Sequence, residues 1–206
     1  MKTVGVLALQ GDFAEHIKAI EECGAKAVEI RWSHQLAQID GLVIPGGEST
    51  AIAKLTGDNP DPIFDTIRKR IVEGMAVYGT CMGSIFLAKE IEGSRQGKLA
   101  VMDITVRRNA FGPQKHSFET TLQIPALGAD SFPAVFIRAP IITRVGAGVE
   151  VLACLPEGIV MARQDNLLVT AFHPEITADR RVHQYFLSML EPRHAALNPQ
   201  VALLQS

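Results

Sequence analysis

The stretch Met75-Ala76-Val77-Tyr78-Gly79-Thr80-Cys81-Met82-Gly83-Ser84 decides how this chain folds. Its opening residues form a short apolar run, and residues 84–91 repeat apolar side chains at helical spacing, so a strand passes almost directly into a helix. Between them lies the Gly-x-nucleophile-x-Gly spacing of a nucleophile elbow. Such a turn strains its central residue, leaves room only for glycine on either side, and presents the central side chain at the end of the strand. A lone cysteine is more often a small buried hydrophobe, but strand, elbow and helix together favour a reactive thiol at Cys81. The helix N-terminus lowers a thiol pKa, and the backbone N–H of Met82 can face an oxyanion that develops on an attacked carbonyl.

The same alternation extends outward. Residues 3–9 predict a strand that Gly11 and Asp12 interrupt, with Asp12 offered as an N-cap before Phe13, Ile17 and Ile20. Gly24 stands where a helix C′ residue would. Residues 27–30 and 42–44 predict two more strands, and helical patterns follow at 51–55 and 63–72. Strands that are apolar throughout, alternating with helices, predict a parallel sheet covered on both faces, hence a three-layer α/β/α arrangement. The second half has another texture. Across 100–124 and 134–172, short strands separated by Gly, Pro and Asn turns predict antiparallel hairpins added to that sheet. Residues 178–190 predict a closing amphipathic helix, after which 191–206 either docks through Leu197, Val201 and Leu204 or frays. No repeat or linker divides the chain, so residues 1–206 are expected to form a single domain.

Composition excludes several classes of function. With 206 residues, 47% of them apolar and 20% charged, the chain has material for a sizeable core and is not disordered. Twenty Lys and Arg against 22 Asp and Glu give a net charge of −2, without the like-charge block of a nucleic-acid or membrane surface. No apolar run approaches the roughly 20 residues that span a bilayer, and the N-terminus does not read as a signal peptide, so a cytoplasmic protein is expected. Three scattered cysteines suggest neither a disulfide framework nor a zinc knuckle; Cys23 and Cys154 are expected in the core. No metal site or cofactor is predicted.

A thiol nucleophile needs a base. Most of His16, His34, His116, His183 and His194 are expected at the solvated surface, for they lie in or beside helical or polar stretches. His173 differs, because it follows the apolar run 167–172 and the proline after it biases its backbone toward extended geometry. Open parallel sheets gather functional groups at the carboxyl ends of their strands, so Cys81 and His173 are expected at one edge. Glu175 can accept a hydrogen bond from the imidazole and fix its tautomer, completing a nucleophile, base and orienting acid. Pro45-Gly46-Gly47-Glu48-Ser49-Thr50 also joins a strand to a helix, and an N–H from Gly46 or Gly47 is a candidate second oxyanion donor. A phosphate loop would end in Gly-Lys-Ser/Thr, which is missing here.

These residues make the chain resemble the class I (triad) glutamine amidotransferases, and within them the branch of glutaminase subunits that serve pyridoxal 5′-phosphate synthase. The elbow and His173-Pro174-Glu175 point to the superfamily. Leu9-Gln10-Gly11, Arg108-Asn109-Ala110-Phe111-Gly112 and Phe136-Ile137-Arg138-Ala139-Pro140 point to the branch. The resemblance implies a flavodoxin-like, mostly parallel sheet with added antiparallel strands, Cys81 as nucleophile, and His173 with Glu175 completing a triad. It further implies that Gly47, Glu48, Ser49, Arg108, Ile137 and Arg138 bind L-glutamine, with Gln10 near the oxyanion hole. Three positions depart from the branch: Met82 replaces a small residue, Ser84 an aliphatic one, and Pro113 the Arg of an Arg-Gln pair.

The implied activity is hydrolysis of L-glutamine through a cysteine thioester, with ammonia delivered to a separate synthase subunit that makes pyridoxal 5′-phosphate. Docking of that partner is expected to complete the oxyanion hole by reorienting a peptide in the Gly46-Gly47 loop. The alternatives are a glutaminase subunit of another biosynthetic synthase, a cysteine peptidase or hydrolase on a related fold, and a non-catalytic regulatory module.

Overall fold

A computed structural model describes residues 1–9, 11–47, 61–95, 98–112 and 117–190. The expected helix at 51–55, the loop residues Gln10, Glu48, Ser49 and Pro113, and the tail 191–206 lie outside these described residues. The first half runs β1 (Thr3–Leu7), α1 (Phe13–Glu22), β2 (Lys26–Ile30), β3 (Gly41–Ile44), α2 (Ile63–Val72), β4 (Ala76–Thr80) and α3 (Met82–Leu87). It continues through β5 (Ala88–Ile91), β6 (Met102–Arg107), β7 (Ser117–Leu122), β8 (Phe132–Ile137), β9 (Ile141–Val145), β10 (Glu150–Leu155), β11 (Gly158–Gln164), β12 (Leu167–Thr170) and α4 (Arg181–Met189).

The strands β2-β1-β3-β4-β12 lie side by side, all parallel, in the flavodoxin-like order with β12 in the fifth place. Beyond β12 the sheet continues antiparallel through β11 and β9 to β6, with β10 also on β11 and β5 parallel to β6 at the edge. Successive side chains on a strand point to opposite faces, and the core divides accordingly. Leu42, Ile44, Val77, Leu167 and Val169 face one cluster with Ile63, Ile67 and Ile71 of α2 and Ile85 and Phe86 of α3. Their neighbours Val43, Ala76, Tyr78 and Leu168 face the other, with Ile20 of α1 and Val182 and Phe186 of α4. This is the three-layer arrangement expected, and each fully buried aliphatic side chain in it contributes about 1.5–3 kcal/mol.

Two expectations change. The helix expected over 84–91 ends at Leu87, and Ala88–Ile91 is instead the edge strand β5, with Ala88 already extended at φ −62°, ψ 141°. Its partner is β6, where Ala88 faces Met102 and Ile91 faces Val106. Buried Ala88 and Ile91 flanking exposed Lys89 and Glu90 fit one turn of helix as well as an edge strand, so local spacing cannot separate them. The second change concerns β7 and β8. They pair with each other, from Ser117 opposite Ile137 to Leu122 opposite Phe132, as a separate two-stranded sheet and not as an addition to the main one. Phe118 and Phe136 stack within it at 4.8 Å, and Phe136 meets Phe172 of the main core at 5.7 Å. That aromatic contact holds the hairpin over the carboxyl ends of β4 and β12. Among the described residues, no helix is long and apolar enough to cross a membrane.

Candidate active site

The ends of β1, β3, β4 and β12 converge on one edge because register aligns them: Ile44 lies beside Gly79, and Thr80 beside Thr170. Cys81 follows β4 directly, its N–H bonded to the Thr170 carbonyl at 2.8 Å. Its backbone sits at φ 47°, ψ −103°, a strained conformation for a residue bearing a side chain. The elbow glycines are required by close approach. A Cβ on Gly79 would lie 2.6 Å from the Gly83 carbonyl carbon, and one on Gly83 would overlap the Ile44 carbonyl oxygen. Ser84, where the resembled branch has an aliphatic residue, donates its hydroxyl to the Cys81 carbonyl at 2.6 Å and so ties the elbow to α3.

His173 stands three residues past β12, its N–H bonded to the Val135 carbonyl of β8 at 2.8 Å. Its Nδ1–H donates to Glu175 Oε1 at 2.6 Å, since a carboxylate can only accept. Both residues are 3% exposed and Cys81 is 8% exposed. Burial opposes a charge on His173, but hydrogen bonds to Cys81 and Glu175 outweigh it and push the imidazole pKa up to about 10. Burial likewise opposes ionisation of Glu175; the imidazoles of His16 and His173 overcome it and hold the carboxyl below its usual range. Gly46 lies against the pair, so that an added Cβ would be 2.5 Å from His173 Cε1 and 3.5 Å from Cys81 Cβ.

A cavity of about 440 Å³ opens above the thiol. Cys81, Met82, His173 and Gly47 line it together with Arg108, Ile137 and Arg138. The Ile137 carbonyl lies 3.8 Å from Cys81 Sγ. Arg138 and Asn109 both have positive φ, at 44° and 48°, and the Ala110 N–H to Ala139 carbonyl bond of 3.1 Å joins their loops. The neighbouring Arg107 turns the other way, to Glu92 at 2.7 Å. The predicted residues Cys81, His173, Glu175, Gly46, Gly47, Met82, Arg108, Ile137 and Arg138 are thus brought together, while Gln10, Glu48 and Ser49 lie outside the described residues.

Several residues at the site escaped the sequence. Asp12 makes no capping hydrogen bond to α1; it lines the cavity instead, its carboxylate 3.7 Å from His173 Nδ1. Its place just past β1 was the available signal, because that strand ends at the same edge. Asn109 and Ile85 also line the cavity. His16 and His183, expected at the surface, are fully buried beside Glu175 and each other; exposed His34 alone fits that expectation among the described residues. Their positions on the inward faces of α1 and α4 decide this, and single-helix spacing did not single them out. Cys154 is exposed and Cys23 half-buried, so neither is the core residue expected; Cys154 sits on the outer face of β10. Asp12, His173 and Glu175 place possible metal-ligand atoms within 4.8 Å of one another. A metal there would have to displace the hydrogen bond between His173 and Glu175.

With this geometry in place, residues 6–192 match the SNO glutamine amidotransferase family. The chain belongs to that family. A relative from Desulforudis audaxviator, a pyridoxal 5′-phosphate synthase subunit PdxT, is 53% identical over 191 residues, covering 93% of this chain and 100% of the relative. A PdxT subunit from Pelotomaculum thermopropionicum is 56% identical, over 89% of this chain and 93% of its own length. The crystal structure of a glutamine amidotransferase superposes with a TM-score of 0.85 at 50% identity, covering 91% of this amidotransferase and 98% of that chain. The structure of PurLQS from Thermotoga maritima, 15% identical with a TM-score of 0.68 over 92% of this chain and 99% of the matched one, shares the fold.

Proposed function

We propose that this amidotransferase is the glutaminase subunit of a pyridoxal 5′-phosphate synthase, with Cys81, His173 and Glu175 as its triad. The supporting observation is the 2.6 Å bond from His173 to Glu175 directly beside a thiol held on a strained, glycine-flanked elbow. The Cys81 thiolate attacks the side-chain amide carbon of L-glutamine, and the bond to nitrogen breaks as His173 donates its proton to the departing ammonia. His173, now neutral, takes a proton from water, which opens the γ-glutamyl thioester and releases glutamate. Glu175 keeps the imidazole in the tautomer that serves both steps.

The backbone N–H groups of Met82 and of Gly46 or Gly47, with Gln10, form the proposed oxyanion hole. Arg108 and Arg138 suit the α-carboxylate, since guanidinium pairs with carboxylate through two parallel bonds. Gly47, Glu48, Ser49 and Ile137 complete the glutamine site. The ammonia goes to a synthase subunit, a destination supported by the name its relatives carry. The proposed setting is the cytoplasm, with neither nucleic acid nor membrane taking part. The test is glutamate release by wild type and Cys81→Ala in the presence of a pyridoxal 5′-phosphate synthase subunit. Loss of release with an unchanged melting temperature is expected; retained release in the variant overturns the assignment. Activation by a different biosynthetic synthase instead would keep the chemistry and change the partner.

A further inference from the structure

The reaction outlined above leaves two buried histidines unused. His16 of α1 and His183 of α4 are both 0% exposed. His16 Nδ1 lies 3.1 Å from His183 Nε2, and His16 Nε2 lies 3.1 Å from Thr80 Oγ1 and 3.4 Å from Glu175 Oε2. Glu175 Oε1 is taken by His173, whereas Oε2 is buried with no hydrogen-bond partner among the described residues, and His16 Nε2 faces it at 3.4 Å. Hydrogen bonds of catalytic groups are often long before substrate binds and tighten afterwards.

The tautomers follow from what each atom can do. A carboxylate oxygen only accepts, whereas Thr80 Oγ1 can take either role, so Nε2 is the His16 nitrogen that suits the hydrogen: a bare lone pair there would repel Glu175. His16 Nδ1 then accepts, and His183 Nε2 donates to it. That leaves His183 Nδ1 bare, and it is the ring nitrogen found buried with no hydrogen-bond partner among the described residues. An unpartnered acceptor is tolerated there better than an unpartnered N–H. Protonating His183 would create such an N–H, and burial with the nearby His16 pushes its pKa down to about 3. Burial lowers the His16 pKa too, against the carboxylates of Glu175, Asp12 and Glu15 and with the His173 charge. The two rings are therefore a directional pair pointing at the triad acid.

We propose that His16 is a positioning residue for the triad: it donates from Nε2 to Glu175 Oε2, is locked in that tautomer by His183, and so fixes the carboxylate for His173. This rests on the triad assigned above. The carboxylate is then held from both oxygens, His173 on one and His16 on the other, and the residue before Cys81, Thr80, shares the same imidazole.

The test compares two amides of different reach, His16→Gln and His16→Asn, in the full chain. Glutamine places its amide nitrogen near the position of Nε2, whereas asparagine stops near Nδ1 and keeps only the contact with His183. Two quantities are read: glutamate release with the synthase subunit, and the pH midpoint of Cys81 alkylation by iodoacetamide, which reports the thiolate and imidazolium pair. The Gln variant is expected within threefold of wild type in kcat with the same midpoint. For Asn, loss of an outer hydrogen bond of this kind is expected to lower kcat about tenfold, with KM within twofold. Its alkylation midpoint should rise by up to about one pH unit. An Asn variant equal to wild type, or a Gln variant as impaired as Asn, overturns the proposal. Should Asn fail to fold, ¹⁵N NMR of the wild-type His16 ring decides: hydrogen on Nε2 supports the proposal, and hydrogen on Nδ1 overturns it. Cys81→Ala separates the two levels, because release retained in that variant overturns the triad itself, whatever His16 does.

Discussion

Gly46→Ala tests how closely the site is built, because the added methyl changes nothing but space. Gly46 is buried at the end of β3, and its backbone N–H survives the substitution, so any oxyanion contact from that N–H is still available. The new Cβ would stand 2.5 Å from His173 Cε1 and 3.3 Å from its Nδ1, while ordinary contact begins at 3.4 Å. The ring or the loop must therefore yield by about 0.9 Å relative to that limit. His173 has little freedom to yield, being 3% exposed, tied to Glu175 at 2.6 Å and anchored by its N–H to Val135. A misplacement of about 1 Å in a catalytic group costs on the order of 10²-fold in rate, or about 2.7 kcal/mol of barrier. We expect kcat for glutamate release, assayed with the synthase subunit present, to fall about 10²-fold. KM should stay within about threefold, because Arg108 and Arg138 are untouched, and circular dichroism should be unchanged. A variant with wild-type kcat and an intact fold would show that His173 is not held as tightly as these contacts require.

Glu175→Gln removes the anion facing His173 while keeping its shape, and loss of the orienting acid in triads of this logic costs about 10⁴-fold in kcat; a loss under tenfold contradicts the role given to Glu175. Gly83→Ala should lower stability by about 1–3 kcal/mol, read by thermal or urea unfolding, since its Cβ would overlap the Ile44 carbonyl oxygen; an unchanged melting temperature would mean the elbow and β3 are not in the register described. His183 is depressed from 6.5 to about 3, so the stability it carries is complete above pH 6.5 and is lost as pH falls toward 3, because the unfolded chain takes the proton first. His183→Gln, which cannot titrate, should flatten the acid-side fall in unfolding free energy by up to about 1.4 kcal/mol per pH unit; equal slopes for variant and wild type would place His183 in solvent.

The elbow and the strand-end histidine were legible because their signals are local. Gly79 and Gly83 are needed by contacts within one turn and with the adjacent strand, and an apolar run that stops at His173-Pro174 marks its own end. Ala88–Ile91 was misread for a physical reason of the opposite kind. Its strand character comes from β6, whose Met102 and Val106 lie beyond the turn, and nothing within the four residues announces that pairing. The hairpin of β7 and β8 is similar: turn residues between short strands predicted antiparallel hairpins on the sheet, but which strands pair, and their separation from the main sheet, depend on long-range contacts such as that of Phe136 with Phe172.

What the residues alone determined, then, is the set of parts whose chemistry is written within a few positions: a thiol on a strained turn, a base with its acid two residues on, parallel strands buried on both sides. Tertiary structure decided which side chains share a dry, low-dielectric space with those parts. His16 and His183 come from helices at the two ends of the described chain, and only the packing of α1 and α4 over the same face of the sheet removes them from water. Asp12 reads as a helix cap until the convergence of β1 with β4 and β12 turns it toward His173. Burial is a property of the whole assembly of layers, and it makes His16, a residue of ordinary local sequence, a neighbour of Glu175.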